Sequence, residues 1–148
     1  MEKRQTCDLA GIWRFEIDKE DRGFAEHWEK RRLTHTITLR GCLQAQGYGD
    51  AISEDTPWVQ SLYDALWYQR GEYAYAQENG TKVPFLSQPP RHYTGKAWYQ
   101  KTIFVPEKSD GFVGRLTLEN TKWKTTLWID GECKGSIVSL CAPHVYET

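Results

Sequence analysis

The sequence predicts an all-β protein: a sandwich of two antiparallel sheets, with long loops and at most one short helix. Three observations predict it. Short runs alternate apolar and polar residues with the period of two of a half-buried strand, turns of the Asp-Gly and Asn-Gly type lie between such runs, and helical spacing is almost absent. Seven Trp, eight Tyr and five Phe beside twelve Gly and six Pro agree, because large aromatics suit a pleated surface that Gly and Pro punctuate.

The first strand starts near Leu9, where Trp13, Phe15 and Ile17 fall on one face and Arg14 and Glu16 on the other. Asp18 to Gly23 is charged and turn-like. Phe24 and Trp28 then stand four apart, which allows one or two helical turns. His35 to Leu39 alternates again, with Ile37 and Leu39 inward, until Gly41 breaks it. Between Gly41 and Tyr93 the glycines, prolines and aromatics predict long loops with a few extended stretches. Inside them Tyr73 and Tyr75, the Asn79-Gly80 turn, and Val83 and Phe85 read as a hairpin. The last third is the most regular. Ala97 to Val105 is a strand ended by Pro106, Arg115 to Glu119 alternates around Leu116 and Leu118, and Thr125 to Ile129 runs into the hairpin turn Asp130-Gly131.

A chain of 148 residues fits one domain, burying on the order of 68–70% of its unfolded surface. Nineteen basic and twenty acidic residues give a net charge of −1 with no basic stripe, which argues against nucleic acid as a partner. Glu29-Lys30-Arg31-Arg32 reads as a solvated face. No apolar run approaches the roughly 18 residues of a membrane span, and Met1 to Thr6 holds no apolar signal core. The expectation is a soluble, unprocessed, cytoplasmic chain without a membrane partner.

Catalytic chemistry is hard to find in the residues. Cys7, Cys42, Cys133 and Cys141 form no C-x-x-C pair, and His27, His35, His92 and His144 lack zinc-site spacing, so no metal or other cofactor is expected. The thiols are expected free and structural, with Cys42 packed, although Cys133 and Cys141 are near enough in sequence to pair. No G-x-S-x-G elbow is present, and Gly47-Tyr48-Gly49 lacks the rest of a phosphate loop. Glu16, Asp18, Glu20 and Asp21 lie in a polar segment where solvent is expected to leave their pKa values ordinary. Asp50, Glu54 and Asp55 differ, because Tyr48 and Trp58 flank them and a carboxylate beside aromatics can accept hydrogen bonds from sugar hydroxyls. Trp58, Trp67 and Trp98 are each either sugar platforms or core. Trp13 and Trp128, on alternating strands, are expected in the core. Tyr48, Asp50, Trp58 and Trp67 are the candidate carbohydrate-binding residues.

Three runs carry a family resemblance: Leu9-Ala10-Gly11-Ile12-Trp13-Arg14-Phe15, Tyr93-Thr94-Gly95-Lys96-Ala97-Trp98-Tyr99-Gln100-Lys101, and Trp123-Lys124-Thr125-Thr126-Leu127-Trp128-Ile129-Asp130-Gly131. In this order, with Gly135 and Tyr146 following, they resemble the amino-terminal sugar-binding domain of glycoside hydrolase family 2, the family of β-galactosidases, β-glucuronidases and β-mannosidases. The resemblance covers nearly the whole chain. It implies a jelly-roll, galactose-binding-like sandwich followed by an immunoglobulin-like domain and a (β/α)₈ barrel that holds two catalytic glutamates. In a retaining hydrolase those carboxyls stand about 5–5.5 Å apart, and the resemblance places neither of them here. The segment Gln44 to Asp50 is similar to the stretch from which the family's galactosidases reach the sugar pocket.

Two departures matter. The family has a proline before the glycine that ends its second strand, whereas Arg40 precedes Gly41, so a different exit is expected. The chain also ends at Pro143 to Thr148, where the family continues into further strands. The expectation is therefore residues 1–148 as one sandwich domain, incomplete at its C-terminus, without catalytic activity of its own. Its partners are expected to be carbohydrate, the downstream domains of a parent glycosidase, and other copies of itself through open sheet edges. An autonomous carbohydrate-binding module and a purely structural β-domain are the alternatives.

Overall fold

The computed structural model describes residues 6–51, 56, 90–104 and 113–148. Nine strands run through them: β1 (Gly11–Asp18), β2 (His35–Leu39), β3 (Asp50–Ala51), β4 (Arg91–His92), β5 (Lys96–Gln100), β6 (Arg115–Leu118), β7 (Trp123–Ile129), β8 (Glu132–Ser139) and β9 (His144–Glu147). All pairings among them are antiparallel. β1 is the centre of a three-stranded sheet with β2 and β5 beside it, and β3–β4, β6–β9 and β7–β8 form two-stranded ladders. The only helical elements among the described residues are two 3-10 turns, Trp28–Lys30 and Gln44–Gln46. The fold is an all-β sandwich, and no helix of the described residues is long and apolar enough to cross a membrane. The expected hairpin around Asn79-Gly80 lies outside the described residues.

Register explains which side chains meet. Phe15 stands opposite His35 on β2 and Tyr99 on β5, and Trp13 opposite Ile37, so these residues share one face of the sheet. Phe15 is fully buried there between Tyr99 and Tyr48, ring centroids 5.0 and 4.6 Å away. Glu16 stands opposite Trp98, and Asp18 opposite Lys96, on the other face.

That second face is where the structure departs from the alternation pattern, which assigned it to solvent. The segment after β1 folds back across it, so Trp28 and Leu33 join Trp98 in the buried cluster, and Trp128 of β7 packs against them. Phe24, Trp28, Trp98 and Trp128 form a chain of tilted and edge-on ring contacts 5.1–6.0 Å apart. Gln100 anchors the returning segment: its amide accepts from the Leu33 N–H at 3.2 Å and donates to the Arg31 carbonyl at 3.1 Å. Trp98 is thus core. Trp13 is only half-buried, its indole N–H donated to the Leu9 carbonyl at 2.8 Å, and Trp128 is also half-buried.

The strand expected over Ala97 to Val105 runs only through Lys96–Gln100. Beyond it the Lys101 ammonium lies 3.3 Å from the carbonyls of Ala10 and Ile12 and takes acceptors that a continuing strand would have used. The helical turn expected around Phe24 and Trp28 starts later, as the 3-10 turn Trp28–Lys30. Asp130-Gly131 does make the β7–β8 turn, with φ of 51° and 81°, the conformation of a type I′ hairpin. A bulge between Leu127 and Trp128 shifts the register, leaving Lys134 as the extra residue.

The stretch from His144 to Glu147, read from sequence only as the end of the chain, forms a strand antiparallel to β6. It alternates as a strand should, with His144 and Tyr146 buried and Val145 and Glu147 exposed. His144 is fully buried. Its Nε2 lies 3.2 Å from the Ser139 carbonyl and its Nδ1 2.6 Å from Thr125 Oγ1, while the Tyr146 hydroxyl donates to the Thr125 carbonyl at 2.9 Å. This polar network ties β7, β8 and β9 together. The four cysteines are free and exposed, so no Cys133–Cys141 bond forms and Cys42 is not packed.

Candidate functional site

The turn from Asp18 to Gly23 separates two kinds of charge. Asp18 is 3% exposed and turns inward, where it accepts the N–H groups of Arg22 and Gly23, each at 2.8 Å, and the Trp98 indole N–H at 3.1 Å. Burial alone would push its carboxyl up, but those three donors and the nearby Lys96 outweigh it and hold the pKa below the ordinary range. Gly23 is required here: a Cβ would stand 2.3 Å from Trp98 Nε1 and 2.7 Å from Asp18 Oδ2.

Glu16, two residues earlier on the same face, meets Arg31 through two parallel hydrogen bonds of 3.0 Å and accepts the Thr34 hydroxyl at 2.9 Å. The Arg31 fork is the main reason its pKa falls from 4.5 to about 2. Arg31 also lies over the Trp28 ring, 4.3 Å from its centroid. The expectation that solvent keeps Glu16 and Asp18 ordinary is therefore overturned, because the segment that folds back supplies both with donors.

The intervening residues of the turn point outward and build a charged rim. Lys19 pairs with Asp50 of β3, and Asp21 pairs with Lys96 at the start of β5. Lys96 also sits 4.7 Å above the ring of Phe24, which is 45% exposed and is held from behind by Trp98 and Trp128. Asp50 faces His92 across the β3–β4 ladder, and Gly49 makes that approach possible, since a Cβ there would lie 2.6 Å from the His92 carbonyl. Lys19 first, with His92 and Arg91 behind it, holds the Asp50 carboxyl below the ordinary range. Chemically the rim offers ionised carboxylates that accept, ammonium groups that donate and an exposed aromatic ring, a set able to bind hydroxyl-rich, uncharged molecules.

Of the four candidate residues, Asp50 is on this rim with its side chain 65% exposed. Tyr48 is placed differently. Its ring packs on Phe15, and its hydroxyl donates to the Thr36 carbonyl at 2.5 Å. Trp58 and Trp67, with Glu54 and Asp55, lie outside the described residues. Sequence reading missed Phe24 and Lys96 as surface partners, because only the pairing of β1 with β5 brings Lys96 beside the turn. Among the described residues no group of three or more His, Cys, Asp and Glu is arranged to hold a metal ion.

No family model matches the chain. Over 128 residues it is 26% identical to a β-glucuronidase of Paenibacillus borealis, an alignment that takes in 86% of this chain and 15% of that protein. The chain is related to a glycoside hydrolase. It spans about 15% of the length of the relative it matches, so the likeness concerns one part of that enzyme.

Proposed function

We propose that the chain is a non-catalytic, carbohydrate-contacting domain of a β-glycoside hydrolase, of the jelly-roll, galactose-binding-like kind found at the amino-terminal end of family 2 enzymes. The observation that carries this reading is the match of 86% of the chain to a small part of a β-glucuronidase. The carboxylates support it. Glu16, Asp18 and Asp50, held ionised by neighbouring donors, are hydrogen-bond acceptors rather than proton donors, which speaks against the general-acid role for these three. The sugar-contacting surface in this proposal is the rim of Asp50, Lys19, Asp21, Lys96 and Phe24.

Incubating the purified chain with nitrophenyl β-glucuronide and β-galactoside, and titrating it with the free sugars by NMR, tests both halves. The expected outcome is no turnover, with shifts confined to amides of the rim. Turnover by contaminant-free protein refutes the non-catalytic reading, and shifts elsewhere or none at all refute the assigned surface.

A further inference from the structure

Among the described residues β2 lies at the border of its sheet, and three of its outward backbone groups are engaged by side chains rather than by a strand. The Thr38 N–H donates to Gln46 Oε1 at 2.8 Å, and Gln46 Nε2 donates to the Thr38 carbonyl at 2.8 Å. One primary amide thus reads one residue as the backbone of a neighbouring strand would. Two residues earlier the Thr36 carbonyl, the next outward acceptor, takes the Tyr48 hydroxyl. Both side chains come from the loop that follows β2. Its 3-10 turn Gln44–Gln46 closes with Gly47 at φ 87°, and the N–H groups of Gln46 and Tyr48 bond back to the Leu43 carbonyl at 3.1 Å each. Tyr48 is anchored further by its ring on Phe15.

We propose that Gln46 and Tyr48 form a latch that closes the outer edge of β2 against a second copy of this chain. β2 reads His-Thr-Ile-Thr-Leu and is palindromic in its outward residues. An antiparallel pairing of two β2 strands about a twofold axis at Ile37 sets Thr36 of one copy opposite Thr38 of the other, so each outward group meets its complement. Ile37 faces the core, while Thr36 and Thr38 are exposed and β-branched, which suits them to a shared strand interface. A second copy is therefore the occupant that this edge fits, and the latch occupies the same donor and acceptors. Edge strands without such cover are known templates for association. Where self-association through open edges is expected from the sequence, this edge is shut by the protein's own loop.

The test compares the full chain with a Gln46→Ala, Tyr48→Phe double variant by light scattering across a concentration series and by hydrogen exchange at the Thr38 amide. The variant is expected to dimerise at least tenfold more tightly than the parent, and its Thr38 amide to exchange at least tenfold faster at concentrations where it is monomeric. Adding Thr38→Pro, which deletes the donor, is expected to return it to the parent's behaviour. If the double variant does not fold, Gln46→Asn, too short to reach both Thr38 groups, is measured in the same way. Unchanged association, with or without faster Thr38 exchange, overturns the proposal, as does association that survives Thr38→Pro.

Discussion

Asp18 and Asp50 are both carboxylates whose pKa is held down by neighbouring donors, and only one of them organises the fold. Asp18 sits beneath its turn in contact with two backbone N–H groups and an indole, the Gly23 N–H and the indole being buried and the Arg22 N–H partly so. Asp50 meets one flexible ammonium in solvent. The same sign of pKa shift therefore has opposite meanings. Buried donors that have no alternative partner convert the interaction into stability, whereas an exposed pair exchanges with water and salt and stays available to a ligand. Charge on this turn is divided between structure and surface by which way each residue points.

The sharpest test of the inward half is Trp98→Ala, which removes the centre of the aromatic cluster and a donor to Asp18 together. It is expected to destabilise the protein by about 3–5 kcal/mol, as for other buried aromatics. Trp128→Ala, at a half-buried ring of the same cluster, should cost less. Urea unfolding of both variants gives the order, and equal losses would mean that burial is not what ranks them.

Gly23→Ala probes the same site through the backbone. The added Cβ meets Trp98 Nε1 and Asp18 Oδ2 well inside contact distance, so the turn must move away from both. Overpacking of this kind costs about 1–3 kcal/mol. A variant as stable as the parent would show that the turn is less tightly packed on Trp98 than the structure has it.

Glu16 lies between the extremes, and pH distinguishes it. A carboxyl lowered from 4.5 to about 2 contributes stability that is complete above its unfolded value and is lost as pH falls through 4.5 toward 2. At about 1.36 kcal/mol per pH unit the ceiling is about 3 kcal/mol. Arg31 is 38% exposed, so screening leaves about 1–2 kcal/mol of it. Glu16→Gln should flatten the stability profile between pH 5 and 2, and an unchanged slope would assign the acid sensitivity to other carboxyls.

Local signals carried most of the strands. The alternation of Trp13, Phe15 and Ile17, the break at Gly41 and the Asp130-Gly131 turn each encode their own geometry within a few residues, so β1, β2 and the β7–β8 hairpin were legible. The second covered face of β1 was not. Its cover comes from Trp28, Leu33 and Trp128, and a polar position such as Glu16 or Asp18 looks solvent-bound until the donors arriving from Arg31, Gly23 and Trp98 are known. A turn-forming aspartate five residues before a glycine was the available hint. β9 was not legible because it spans four residues, buries a polar side chain at His144 and takes its partner, β6, from far along the chain. In the candidate site, Asp50 is a candidate from its neighbours in sequence and its place on the rim comes from Lys19, whereas Phe24 and Lys96 depend on long-range pairing that no local pattern reveals.

The outward half is tested by Asp50→Asn, for which the smallest structural effect is expected. The substitution removes the charge that attracts Lys19 and keeps the size and one acceptor of the side chain. Because that side chain is 65% exposed, the melting temperature should not change within error, in low salt or high. If the rim contacts sugar as proposed, binding should respond, since an ionised carboxylate accepts hydroxyl hydrogen bonds more strongly than an amide does. NMR titration following the amides of Ala51 and His92 measures it directly, and the expected result is severalfold weaker binding, because the amide that replaces the carboxylate is the weaker acceptor. A melting temperature that falls by several degrees would move Asp50 to the structural half of the comparison. Unchanged affinity at an unchanged melting temperature would place the sugar contact away from Asp50 and leave Phe24 and the Asp21–Lys96 pair as the part of the rim to test.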